Sequence, residues 1–133
     1  MQTPFDSPFQ RGTKEIKKGE NMKILLTAKG TEWNSKMDPR FGRTEYFFIY
    51  DEETEKIDIY DNRSIANEAH GAGPKTAQIM SEYNINVLIT GNGPGGNAGA
   101  VVSQMGIKVF VGAGEMTVKE AFDAYKNGDL RET

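Results

Sequence analysis

The chain has 133 residues, of which 37% are hydrophobic and 26% charged, with a formal net charge of −3 and no cysteine. That length suits one domain with a real core, and the missing thiols exclude disulfides, thiolate nucleophiles, thiolate-held zinc and cysteine-ligated iron–sulfur clusters. No basic run suggests nucleic acid, and no apolar run or leader pattern suggests a membrane, so the cytoplasm is the expected compartment; a monomer is the expected state.

Residues 1–21, MQTPFDSPFQRGTKEIKKGEN, are polar, carry two prolines and lack periodicity, as a disordered tail would. The KGEN before Met22 can be encoded by a purine-rich stretch resembling a bacterial ribosome-binding site. Met22 is therefore read as the natural start and 22–133 as the domain, with a genuine flexible tail as the alternative. Peptides from 1–21 in protein from the native host would exclude the first reading.

Residues 23–28, KILLTA, form an apolar run suited to a strand buried on both faces. A polar loop, 29–43, follows. Strands at 44–51 and 55–61 then make a hairpin, the second placing Ile57 and Ile59 on one face and Lys56 and Asp58 on the other. After a loop at 62–73, Pro74 opens a helix whose inward face is Thr76, Ile79, Met80 and Tyr83. A strand at 86–90, a glycine loop, a helix to about Met105 and a strand at 107–111 come next. Thr117 and Glu120 match a capping box for a last helix, which carries Val118, Ala121, Phe122 and Tyr125 inward and ends at Asn127-Gly128.

The predicted order is β-β-β-α-β-α-β-α, an α/β fold with a five-stranded mixed sheet and about three helices. Burial puts the first, second and fourth strands in the middle and the third and fifth at the edges. The order 3-2-1-4-5, with the second strand antiparallel, satisfies this with right-handed crossovers. That arrangement is ribonuclease H-like.

The loop ITGNGPGGNAGA (89–100) contains G-x-G-x-x-G at Gly91, Gly93 and Gly96. A dinucleotide site would need this loop to open a βαβαβ half and an acid at the end of the next strand. Only one strand follows, it ends at Val111-Gly112, and Pro94 removes an amide. A tight turn alone needs fewer glycines than Gly91, Gly93, Gly95, Gly96 and Gly99, which stand with Asn92 and Asn97. Backbone amides at a helix N-terminus suit an anion. In the predicted topology this loop meets 29–43, with Arg40 and Arg43, and 62–73, with His70, at one sheet edge. His70 alone would hold a metal only weakly and with help from the ligand's own chemistry.

Four segments then carry a resemblance: MDPRFGRTEYFFIYDEET (37–54), HGAGPKTAQIM (70–80), VLITGNGPGGNA (87–98) and GIKVFVGAGEMTVKEAFDAYKNGDL (106–130). In this order they resemble the dinitrogenase iron–molybdenum cofactor biosynthesis family, small ribonuclease H-like proteins, over residues 22–130. The resemblance implies carriage of an iron–sulfur or iron–molybdenum type cluster or its precursor, and a cluster-biosynthesis protein as partner. It matches Asp38, Phe41, Gly42 and Arg43, then His70, Gly71 and Gly73, then Gly91, Gly93, Gly96 and Asn97. Phe41 reads equally well as a core residue. With no cysteine, His70, backbone amides and arginines are left as the holders.

Catalysis finds little support. The first strand has no acid for a nuclease metal site. Ser35, Ser64, Ser81 and Ser103 sit in no nucleophile elbow, one histidine limits any triad, and Asp38 has no visible carboxylate partner. The expectation is a non-catalytic carrier. The alternatives are a nucleotide or phosphometabolite binding module and a regulatory interaction domain.

Overall fold

The structure is a computed structural model, and it describes residues 22–66, 72–93 and 96–133. The predicted tail and the predicted site residues His70, Gly71 and Gly95 lie outside them. Strand β1 (Lys23–Ala28) sends Leu25 into one core cluster and Ile24, Leu26 and Ala28 into another, so it is covered on both faces. Strands β2 (Tyr46–Asp51) and β3 (Lys56–Asp61) form the expected hairpin. Its turn is held by the Asp51 carboxylate, which accepts from the Glu53 amide at 2.9 Å, and Glu55 takes a left-handed φ of 62°.

Helices α1 (Arg63–Ala66) and α2 (Ala72–Glu82), strand β4 (Val87–Ile89), helix α3 (Gly96–Gln104), strand β5 (Lys108–Val111) and helix α4 (Val118–Asn127) follow, and a last strand, β6 (Arg131–Glu132), ends the order. The sheet runs β3-β2-β1-β4-β5-β6. Strands β1, β4 and β5 are mutually parallel, and β2 is antiparallel to both its neighbours, so β3 points with β1. Helices α2 and α3 cover one face through Ile79, Met80 and Val102, and α4 covers the other through Val118 and Ala121.

The first five strands stand in the predicted order, but the sheet has six strands rather than five. Strand β6 pairs antiparallel with β5, so β5 is not an edge. At four residues, RSIA, α1 is too short to give a periodic signal, and α2 starts two residues before Pro74. The isoleucines of β3 do share a face, yet Ile57 and Ile59 stay 40% and 37% exposed, because β3 is the edge strand. The predicted capping box is formed at Thr117, and Gly128 closes α4 with a left-handed φ of 80°.

Candidate functional site

The carboxyl ends of β1, β3, β4 and β5 gather their loops at one edge. Asp38 organises the first of these loops. Its side chain is fully buried, and its Oδ1 accepts from the Arg40 amide at 3.1 Å and from Arg40 Nε at 2.9 Å. Its Oδ2 accepts from Arg40 Nη2 at 2.8 Å and from the Glu45 amide at 3.1 Å. Burial pushes the carboxyl pKa up, but the Arg40 bonds and charge and the Glu45 amide outweigh it and hold it below its ordinary 3.8. Asp38 is thus saturated by its own loop. Arg40 remains half-exposed, its guanidinium aimed by Asp38 and its charge offset by it.

Pro39 is the point where three loops meet. Its carbonyl accepts from the Asn92 amide at 2.8 Å, and the Gly91 carbonyl accepts from the Gly112 amide at 3.0 Å. A β-carbon on Gly91 would lie 2.7 Å from Pro39 Cα and 2.9 Å from Gly114 Cα. Gly91 therefore serves close backbone packing. Gly93 does not, since its nearest neighbour would be Val111 Cγ1 at 3.4 Å.

A layer of buried polar groups supports the junction. The Thr27 hydroxyl donates to the Asp38 carbonyl at 2.7 Å and hydrogen-bonds the Thr90 hydroxyl at 2.9 Å. The Thr44 hydroxyl lies 3.1 Å from the Ala28 carbonyl. Asn62 uses Nδ2 to donate to the carbonyls of Gly42 and Thr44, at 3.2 and 2.9 Å, and its amide donates to the Glu45 carbonyl. Its Oδ1 is buried and unpartnered. Sequence reasoning passed over Thr27, Thr44, Asn62, Thr90 and Gly114. A threonine at the carboxyl end of each of two apolar strands was the available signal.

Of the predicted residues, Phe41 is 7% exposed and belongs to the core cluster with Leu25 and Phe47. Gly42 lends its carbonyl to Asn62, and Arg43 is half-buried. Gly73 lies in the first turn of α2, and Gly96 and Asn97 open α3. Asn92 and Gly93 are exposed beside Pro39 and Val111 respectively. The end of α4 at this edge is already capped: the Val118 and Lys119 amides donate to the Ser35 and Trp33 carbonyls, each at 2.8 Å. The α3 terminus, by contrast, follows the glycine loop. Among the described residues no group of three His, Asp or Glu could hold a metal ion. The groups on offer are amides and guanidiniums.

The family model for the dinitrogenase iron-molybdenum cofactor matches residues 22–128, which include this whole edge. The chain belongs to that family. It is 32% identical over 120 residues to an uncharacterised protein of Methanocaldococcus jannaschii, covering 87% of this chain and 95% of that one. It is similar to the orange protein of Desulfovibrio gigas, solved in its apo form, with 31% identity, a TM-score of 0.79 and coverage of 86% and 94% of the two chains. A proposed NifB protein from Thermotoga is 35% identical, with a TM-score of 0.72 and coverage of 84% and 92%.

Proposed function

We propose that this family member is a non-catalytic carrier, whose cargo is an anionic iron–sulfur or iron–molybdenum type cluster or a precursor of one. The observation behind this reading is the junction at Pro39, which sets the Arg40–Arg43 segment against the Gly91–Gly93 loop ahead of α3. Oriented amides and guanidiniums can hold an anion by hydrogen bonds and charge, without metal–protein bonds. The family's description names the cofactor, and a relative solved in an apo form implies a loaded one. His70, with Gly71, Gly73 and Gly95, completes the proposed site, and His70 is the one candidate metal ligand in it. We also assign the fold to the ribonuclease H-like class and the protein to the cytoplasm, as a monomer that receives or delivers its cargo through a cluster-biosynthesis protein.

A nucleotide or phosphometabolite module is the second reading, favoured by the strand, glycine loop and helix that occur in order at β4 and α3. An anaerobic amide NMR titration with tetrathiomolybdate and, in parallel, with ADP separates them. The carrier reading expects shifts at Arg43, Asn92, Gly93 and His70 with the thiometallate alone. The same shifts with ADP alone would replace it by the second reading. Silence to both would favour a regulatory interaction domain.

A further inference from the structure

The geometry points to Arg131 as a further residue of this anion site, supplied by a strand that lies beyond the 22–128 family match. The inference rests on the reading of the edge as an anion site and adds to it a cation on the glycine-loop side.

Strand β6 pairs with β5 so that Val111 faces Arg131 and Phe110 faces Glu132, and the Thr133 amide extends the pairing to the Val109 carbonyl at 2.9 Å. Directly opposed residues share a face of the sheet. Phe110 and Glu132 lie on the α4 face: the Phe110 ring meets Tyr125 of α4 at 5.0 Å, and the Glu132 charge, after burial and Glu52, helps raise the Tyr125 pKa. Val111, Arg131 and Thr133 therefore lie on the opposite face. Gly93 crosses that face, since a β-carbon there would sit 3.4 Å from Val111 Cγ1 and 4.0 Å from Thr133 Cγ2. Arg131 is set across from Val111 and two residues from Thr133, at the rim of the glycine loop, and α3 begins three residues after Gly93.

Charge distinguishes Arg131 from its counterparts. Arg40 is clamped by Asp38 and Arg63 by Asp61, each through a 2.8 Å bond. Arg131 is exposed and has no acidic partner among the described residues. Its guanidinium offers a planar fork of donors that matches a compact di- or polyanion bearing oxygen or sulfide acceptors. The β6 pairing brings it there.

Anaerobic calorimetric titration of the full chain with tetrathiomolybdate tests this, using wild type, Arg131→Gln, Arg131→Lys and the remote exposed control Lys56→Gln. Arg131→Gln should weaken binding about three- to fivefold, the scale of an exposed ion pair, and reduce its salt dependence. Arg131→Lys should recover most of the loss, and Lys56→Gln should bind as wild type. In wild-type protein the Arg131 Nε–Hε resonance should shift together with the Gly93 amide. If Arg131→Gln binds as wild type while Arg43→Gln loses binding, Arg131 is outside the site and the carrier reading stands. An equal loss in Lys56→Gln would reduce the effect to net charge and overturn the assignment. Wild-type protein that binds no thiometallate would overturn both.

Discussion

Gly91 and Gly93 stand two positions apart in one loop, and a methyl group would meet different fates on them. At Gly91 the obstacles are the Pro39 and Gly114 backbones, at 2.7 and 2.9 Å, which cannot turn aside as a side chain can. Gly91→Ala should therefore cost about 2–3 kcal/mol as an overpacking change, seen as a lower urea midpoint. At Gly93 the nearest atom is a valine methyl at 3.4 Å, so Gly93→Ala should cost less than about 1 kcal/mol. Equal costs would mean that the three-loop junction is looser than its geometry. The glycine motif itself was legible in the sequence, but the division of labour inside it was not. Each glycine looks alike until the neighbouring loops are placed. Asp38 and Arg40 show the same limit: the pair is two residues apart and visible, while the burial that makes Asp38 the keystone of its loop comes from tertiary packing.

Among the elements, strong local signals were legible and tertiary ones were not. Each of the five predicted strands formed, because KILLTA, YFFIYD and the later apolar runs can be buried only as strands of one sheet. Strand β6 is Arg-Glu and carries no apolar pattern, so its pairing is dictated by the open side of β5 rather than by its own residues. Helix α1 is likewise short and local, and starts where the Asp61 carboxylate accepts from the Arg63 amide at 3.1 Å. The α4 capping box was readable from Thr117 and Glu120 alone. There the Thr117 hydroxyl accepts from the Glu120 amide at 3.1 Å and Glu120 Oε1 accepts from the Thr117 amide at 2.9 Å. Thr117→Ala should cost about 1 kcal/mol, a fall in Tm of about 4 °C for a domain of this size. Thermal unfolding followed by circular dichroism checks it. A fall of less than about 1 °C would mean that the Trp33 and Ser35 carbonyls, which accept from Lys119 and Val118, hold the helix end without the box.

Across the whole molecule, Asp38 of the loop junction is one of several groups through which stability depends on pH. Asp38 and Asp61 both have carboxyl pKa values below the ordinary 3.8, that of Asp61 at about 2 because Arg63 bonds to it. In each case the unfolded chain takes up its proton first as pH falls. The stabilisation is therefore complete above the ordinary carboxylate value and is lost as pH drops through the folded one. The two residues differ in weight. Asp61 is exposed and its pairing with Arg63 is screened by solvent. Asp38 is buried and joins Arg40, Glu45 and, through its carbonyl, Thr27, so its protonation loosens the junction itself. Urea midpoints measured from about pH 5 down to about pH 2 should fall steeply in wild type, much less in Asp38→Asn and nearly as in wild type in Asp61→Asn. On the alkaline side Tyr125 has its pKa raised above 10.0, by burial first and then by Glu52 and Glu132, so the folded state holds that proton longer. Its contribution is intact below the ordinary value and fades as pH rises through the raised one, and Tyr125→Phe should flatten that limb. A wild-type acid limb that survives unchanged in Asp38→Asn would move the keystone away from Asp38 and leave the edge held by backbone contacts at Pro39 alone.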